Sequence, residues 1–211
     1  MSANESSVTD APVSRARQIL EALAAELETR PGSRITTAQL ARVVGVSEAA
    51  LYRHFASKAA MFEGLIAFAE ESVFSAISRI RAEVPEANRQ CQLIAQTVLT
   101  FAARNPGISR ILMGDPLTGE HAELQTRVAQ FFDRLETELR QLLRQSVSWD
   151  QHSTADERMS VNPVAGLVAN LIEGRIHRFV RSRFQRSPLD GWEEEWGQIH
   201  RTLPHPPQAQ T

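Results

Sequence analysis

The stretch ITTAQLARVVGVSEAALYRHFASKAAMF, residues 35–62, constrains the fold more than any other part of the chain. Two short helices can cross steeply only when the residues at their contact are the right size. Leu40, Val44, Val46 and Leu51 fall where a small helical core needs apolar groups. Ala41 sits where the second helix crosses, a place where a larger side chain would clash. Gly45 lies at the turn, where a left-handed backbone is costly for any residue with a Cβ. Ser47 is a good N-cap for the second helix. The combination predicts a helix-turn-helix.

In such a motif the second helix, residues 47–54, lies in the major groove of DNA with its N-terminal end at the base edges. Ala49 and Ala50 suit thymine methyls, and Glu48 can accept from cytosine. Tyr52, Arg53 and His54 carry donors for phosphates. Lys58 sits in the first turn of the next helix, beside exposed N–H groups that also favour a phosphate. Thr36 and Thr37, at the start of the first short helix, offer two more donors. Plainer roles stand beside these: Thr36, Thr37 and Ser47 are also good caps, Tyr52 can pack on the preceding helix, and Glu48 can be a surface charge. Phe55 reads as core.

Helical periodicity runs through nearly the whole chain, and no run shows strand alternation, so the expected class is all-α. A first helix spans residues 14–29, with Ile19, Leu20, Leu23 and Leu27 on one face, and Pro31-Gly32 stops it. After the two short helices, Ser57 caps a long helix with Met61, Phe62, Leu65, Ile66, Ala69, Val73 and Ile77 inside. A helix through Cys91, Ile94, Val98, Leu99 and Phe101 ends at Asn105-Pro106-Gly107. A short helix around Ile108, Ile111 and Leu112 follows, then a loop through Gly114, Asp115, Pro116 and Gly119. A long amphipathic helix carries Leu124, Val128, Phe131, Leu135, Leu139 and Leu142. Residues 148–156 read as a polar, mobile loop. Asn162-Pro163 reads as a cap followed by proline at the first helical position. The next helix has an apolar stripe wide enough for burial on two sides, which, with a last helix through Trp192, Trp196, Ile199 and Leu203, predicts a helical dimer interface over residues 164–180 and 192–203.

The domain organisation expected is a tail over residues 1–13, a DNA-binding head over 14–56, a helical dimerisation and partner domain over 57–203, and a tail over 204–211. Residues 1–12 are polar and carry acids without a basic cap, unlike a signal peptide. A hydrophobic content of 42% supports a real core. The formal net charge of −2 excludes a blanket electrostatic binder of nucleic acid or membrane. In the first 60 residues the basic and acidic side chains nearly cancel, so DNA contact must come from where charge sits. The single cysteine, Cys91, fits a reducing cytoplasm and makes neither an intrachain disulfide nor a zinc site.

The run Leu51-Tyr52-Arg53-His54-Phe55 followed by Ser57-Lys58 resembles the DNA-binding head of the TetR family of dimeric repressors. FAARNPGISRIL at residues 101–112 and RFVRSRF at residues 178–184 are similar to the members of that family that act in nucleoid occlusion. The resemblance runs from about Arg17 to Trp196. It implies a homodimer, or pairs of dimers, on palindromic double-stranded DNA in the nucleoid. It further implies that the DNA-bound protein antagonises the tubulin-like division GTPase FtsZ. The implied FtsZ surface lies near the junction of head and body, at Phe68, Arg104 and Asn105. Phe68 also fits the core pattern of Leu65 and Ile66, and Asn105 also fits a helix end before Pro106. The acidic N-terminal tail, the loop at 148–156 and the proline-rich C-terminus depart from the family's pattern.

A ligand-responsive repressor is the rival reading. It uses the same head and places a small molecule near Phe101, Met113, Phe131 and Phe132, residues that also read as plain core. Catalysis has little support: the histidines are scattered, no HExxH or phosphate loop is present, and no metal or cofactor is expected. The acids Asp115, Glu120 and Glu123 read as compensation of a helix dipole.

Overall fold

The computed structural model describes residues 14–30, 35–117, 122–148, 155–201 and 203. The expected terminal tails, residues 1–13 and 204–211, lie outside the described residues, as do Gly119, Glu120 and residues 149–154 of the expected polar loop. Nine α-helices and one 3-10 turn make up the secondary structure of the described residues.

The head is built by local capping. Helix α1 (Arg15–Thr29) begins at Ser14, whose side chain accepts from the Arg17 N–H. It buries Ile19, Leu23 and Leu27 completely, each such burial contributing about 2 kcal/mol. Helix α2 (Thr37–Val44) is capped by Thr36 and ends at Gly45, whose φ of 74° and ψ of 38° are the left-handed conformation the turn requires. Helix α3 (Glu48–His54) is capped by Ser47, which accepts from the Ala50 N–H. Leu40, Ala41 and Leu51 are buried, while Val44, Val46 and Phe55 pack on the core from partly exposed positions.

The body follows from long amphipathic helices laid antiparallel. Ser57 caps α4 (Lys58–Glu83), which buries Met61, Phe62, Leu65, Ile66, Ala69, Val73, Phe74 and Ile77. Helix α5 (Ala87–Arg104) returns along it with Cys91, Ile94, Ala95, Val98, Leu99 and Ala102 inside. A short α6 (Pro106–Leu112) and a 3-10 turn (Asp115–Leu117) lead into α7 (Ala122–Ser148). Helix α8 (Ala155–Arg181) packs most closely on α7, and α9 (Trp192–His200) is the last helix. Between α4 and α7, Arg127 grips Glu70 through two hydrogen bonds of 3.1 and 2.6 Å. That bond holds the guanidinium above its ordinary pKa. Burial pushes the Cys91 thiol up to about 12, so it stays protonated and inert.

Three expectations change here. Pro163 does not start a helix: α8 already runs from Ala155 and carries Pro163 inside it. The Asn162 side chain does not cap; its Oδ1 accepts from the Arg144 guanidinium of α7 at 2.9 Å, so the packing of α8 on α7 overrides the local signal. An interior proline costs about 3 kcal/mol, which this packing must offset. Residues 155 and 156 of the expected loop likewise belong to α8. The last helix stops at His200, short of Leu203.

Within the region expected to form the dimer interface, the two tryptophans turn inward. Trp192 and Trp196 are buried within the protomer, with ring centroids 5.3 Å apart. Arg175 locks this end by donating to the Pro188 and Asp190 carbonyls and to Glu195. The Trp192 and Trp196 rings are therefore occupied. Helix α8 keeps an outward face through Leu167, Asn170, Gly174 and His177, with Leu167 53% exposed.

Candidate nucleic-acid interface

Of the seven residues of α3, only Leu51 is buried. That one anchor seats the helix on the head and turns the rest outward. Glu48, Ala49, Tyr52, Arg53 and His54 are exposed, and Ala50 is half-buried. Tyr52 is 46% exposed, which leaves part of its ring open to a partner. Arg53 and His54 lie in the last turn of α3, where the Arg53 cation also complements the helix dipole.

The caps are compatible with anion contact. Thr36 accepts from the Gln39 N–H at 3.2 Å and Ser47 from the Ala50 N–H at 3.2 Å. Each hydroxyl is used as an acceptor and keeps its hydrogen to donate. Lys58 stands in the first turn of α4 with its ammonium 5.3 Å from the Phe62 ring centroid.

One pairing was not anticipated. The Thr37 hydroxyl donates to Glu48 Oε2 at 2.8 Å, tying the first residue of α2 to the first of α3. Two side chains read from the sequence as separate contacts, one to phosphate and one to cytosine, meet each other in the free protein. The second carboxylate oxygen of Glu48 retains acceptor capacity.

A second surface lies in the body. A groove of about 510 Å³ between α4 and α5 is lined by Phe68, Leu93, Thr97, Phe101, Arg104 and Asn105, among others. The three residues expected for a partner surface are thus brought together. Phe68 is 46% exposed and tilts against Phe101 with centroids 6.1 Å apart, so its reading as core is set aside. Arg104 is exposed at the helix end. Asn105 is half-buried and donates to the Phe101 carbonyl at 2.8 Å, so it finishes α5 and also lines the groove. Among the described residues no carboxylate lines the groove. Leu93, Thr97 and Thr100 also line the groove, and the sequence reading did not single them out; their spacing along one face of α5 was the available signal.

Of the residues grouped for a small-molecule pocket, Phe131 and Phe132 meet ring to ring, while Phe101 lines the outer groove. Phe131 is buried, edge-on to Phe132 at 5.2 Å and tilted on Phe74 at 5.4 Å. Met113 packs on the core at the end of α6. Of the acids read as compensating a helix dipole, Asp115 pairs with Arg110 at 2.7 Å and Glu123 lies in the first turn of α7. Among the described residues no group of three His, Cys, Asp or Glu side chains is placed to hold a metal ion. No described helix is long and apolar enough to cross a membrane.

Residues 19–65 match the family described as bacterial regulatory proteins, tetR family, and residues 86–204 match the tetracyclin repressor-like, C-terminal domain of SlmA-like type. The chain is 49% identical over 192 residues to the nucleoid occlusion factor SlmA of Shewanella amazonensis, covering 90% of this chain and 95% of that one. It is 51% identical over 183 residues to the nucleoid occlusion factor SlmA of Alteromonas mediterranea, covering 86% and 92%. Among solved structures, the MbdR regulator from Azoarcus sp. CIB superposes with a TM-score of 0.72 at 15% identity, covering 91% of this chain and 100% of that one. The TetR family transcriptional regulator PfmR from Thermus thermophilus gives 0.71 at 22%, covering 92% of this chain and 100% of that one. At these identities the two structures speak to the fold.

Proposed function

The chain belongs to the TetR family and, within it, to the nucleoid occlusion factors of the SlmA type, and from that premise we propose how its two surfaces work together. The protein binds palindromic chromosomal sites through α3 and, while bound, antagonises assembly of the FtsZ ring over the nucleoid. Its place in the cell is therefore the nucleoid. Its mechanism is partner binding, with no catalytic step.

The roles divide as follows. Glu48, Ala49 and Ala50 meet base edges. Tyr52, Arg53, His54 and Lys58 meet phosphates, with Thr36, Thr37 and Ser47 as further donors. Binding exchanges the Thr37–Glu48 hydrogen bond for contacts to DNA. Residues 14–56 act as the head and 57–203 as the dimerisation and partner domain. The dimer forms across the outward face of α8 around Leu167 and Gly174. Two-fold symmetry then sets half-sites about one helical turn, ~34 Å, apart.

FtsZ is bound at the groove of Phe68, Arg104 and Asn105. An aromatic-floored groove without carboxylates and with arginine at one end suits a chain segment carrying apolar side chains and an acid. The observation that carries the reading is the convergence of these three residues on one groove, next to a head whose reading helix is turned outward.

The test is sedimentation and light scattering of FtsZ assembly with this protein, its selected palindrome added or omitted. Assembly should be disrupted mainly when both are present. Tight binding of the palindrome with assembly untouched in both conditions would remove the division role and leave a repressor.

A further inference from the structure

The head is joined to the body at the chain itself and through α1, which packs lightly on α4 near Leu20 and Gly64 and more extensively on α6. The chain passes from α3 through residues 55–57 into α4, and α6 makes the larger contact with α1. That larger contact is unusually close. A Cβ built on Gly107 would stand 2.0 Å from the Ala24 carbonyl oxygen, so the two helices touch backbone to backbone.

Three residues further on, Arg110 is 1% exposed, the largest fully buried side chain among the described residues. Its Nη1 donates to the Leu27 carbonyl at 2.5 Å and the Arg30 carbonyl at 3.1 Å. These lie at the C-terminal end of α1, where helix carbonyls lack partners. The Leu27 carbonyl has a particular need, because the residue four positions on is Pro31, which has no N–H. On its other side the same guanidinium donates through Nε and Nη2 to Asp115 Oδ2 at 2.8 and 2.7 Å. Asp115 opens the turn that leads into α7. Next to Arg110, the buried Ser109 hydroxyl donates to the Ala102 carbonyl of α5 at 2.9 Å. Helix α6 is thus bonded to the body on one side and to the head on the other, and a planar guanidinium fixes direction as well as distance.

We infer that Arg110 is a positioning residue for DNA recognition: it locks α1 against the body so that the two heads of a dimer read half-sites at one separation only. The inference rests on the DNA-binding reading above. A head held only by residues 55–57 and the lighter packing of α1 on α4 would pivot more freely, and a pivoting pair tolerates several separations. Arg110 touches no DNA and acts through the pitch of α1.

The experiment uses the full chain as wild type, Arg110→Met and Asp115→Asn. Each is titrated by fluorescence anisotropy against its selected palindrome, the same palindrome with one central base pair inserted or removed, and a duplex carrying a single half-site. Wild type should lose about tenfold or more per altered spacing. Arg110→Met should lose less than about threefold, with half-site affinity and salt slope unchanged. A merely structural defect would weaken half-site and palindrome alike and leave the spacing penalty in place. Asp115→Asn keeps the bonds to α1 and loosens only the anchor, so it should flatten the penalty in the same direction by less, and it decides the matter if Arg110→Met does not fold. Folded variants that keep the full spacing penalty overturn the inference, and so does a wild type indifferent to spacing. Binding to none of the duplexes would sink the DNA-binding reading and the inference with it.

Discussion

The outward face of α3 and the groove between α4 and α5 are both open to a partner, and they are made in opposite ways. The face of α3 comes from seven consecutive residues held by one buried anchor, Leu51, and a cap at Ser47. Every contact it offers is a side chain on a single short helix. The groove joins Phe68 to residues 25 to 37 positions further on, and exists only because α5 folds back along α4. The α3 face is polar and local; the groove is aromatic and depends on tertiary packing. A surface of the first kind fails when its support fails, and a surface of the second kind can be emptied without disturbing its support.

The largest effect that would sharpen this contrast comes from Leu51→Ala. Leu51 is 0% exposed, and truncating a buried leucine costs about 2–5 kcal/mol. DNA binding should be lost, with helical signal and the dimer retained in circular dichroism and sedimentation. Loss of the dimer as well would show that head and body do not fold as separable parts.

Phe68→Ala comes next. Its ring is half exposed, so stability should change by no more than about 1 kcal/mol. Inhibition of FtsZ assembly should disappear while palindrome affinity stays the same. Undiminished inhibition would move the partner surface away from the groove.

Smaller effects are expected on phosphates. Arg53→Ala and Lys58→Ala should each weaken binding to all sequences and reduce the salt slope by about one. At saturating palindrome both should still inhibit FtsZ. Unchanged slopes would end their assignment to phosphates.

Glu48→Ala should give the smallest change, a shift in base preference at one position of each half-site, read by repeating the site selection. The substitution also frees the Thr37 hydroxyl. If the preferred site is unaltered, Glu48 serves only to tie α2 to α3.

The same contrast explains what could be read from the sequence. Helix starts at Ser14, Thr36, Ser47 and Ser57, and the turn at Gly45, are set by bonds within a few residues, and the structure has them where the sequence places them. Asn162-Pro163 carries an equally good local signal and is overridden, because Asn162 bonds to Arg144 on another helix. Phe68 lies at the edge of the apolar stripe of α4, so the pattern alone leaves it between core and surface. Its neighbour Phe101 and the course of α5 decide. Arg110 was invisible: an arginine in a short amphipathic segment gives no sign that it will be buried under the end of α1. The bond from Arg110 to the Leu27 carbonyl becomes legible only once α6 is seen to lie there.

The central claim is that one chain holds DNA and FtsZ at the same time on separate surfaces. Sedimentation velocity with a labelled palindrome tests this most directly, with the protein at a fixed concentration and FtsZ titrated in. The account predicts that the labelled DNA moves into a faster species containing all three components, and that Phe68→Ala abolishes that species while leaving the protein–DNA complex. Release of the labelled DNA as FtsZ is added would contradict it, because the two partners would then compete for one surface.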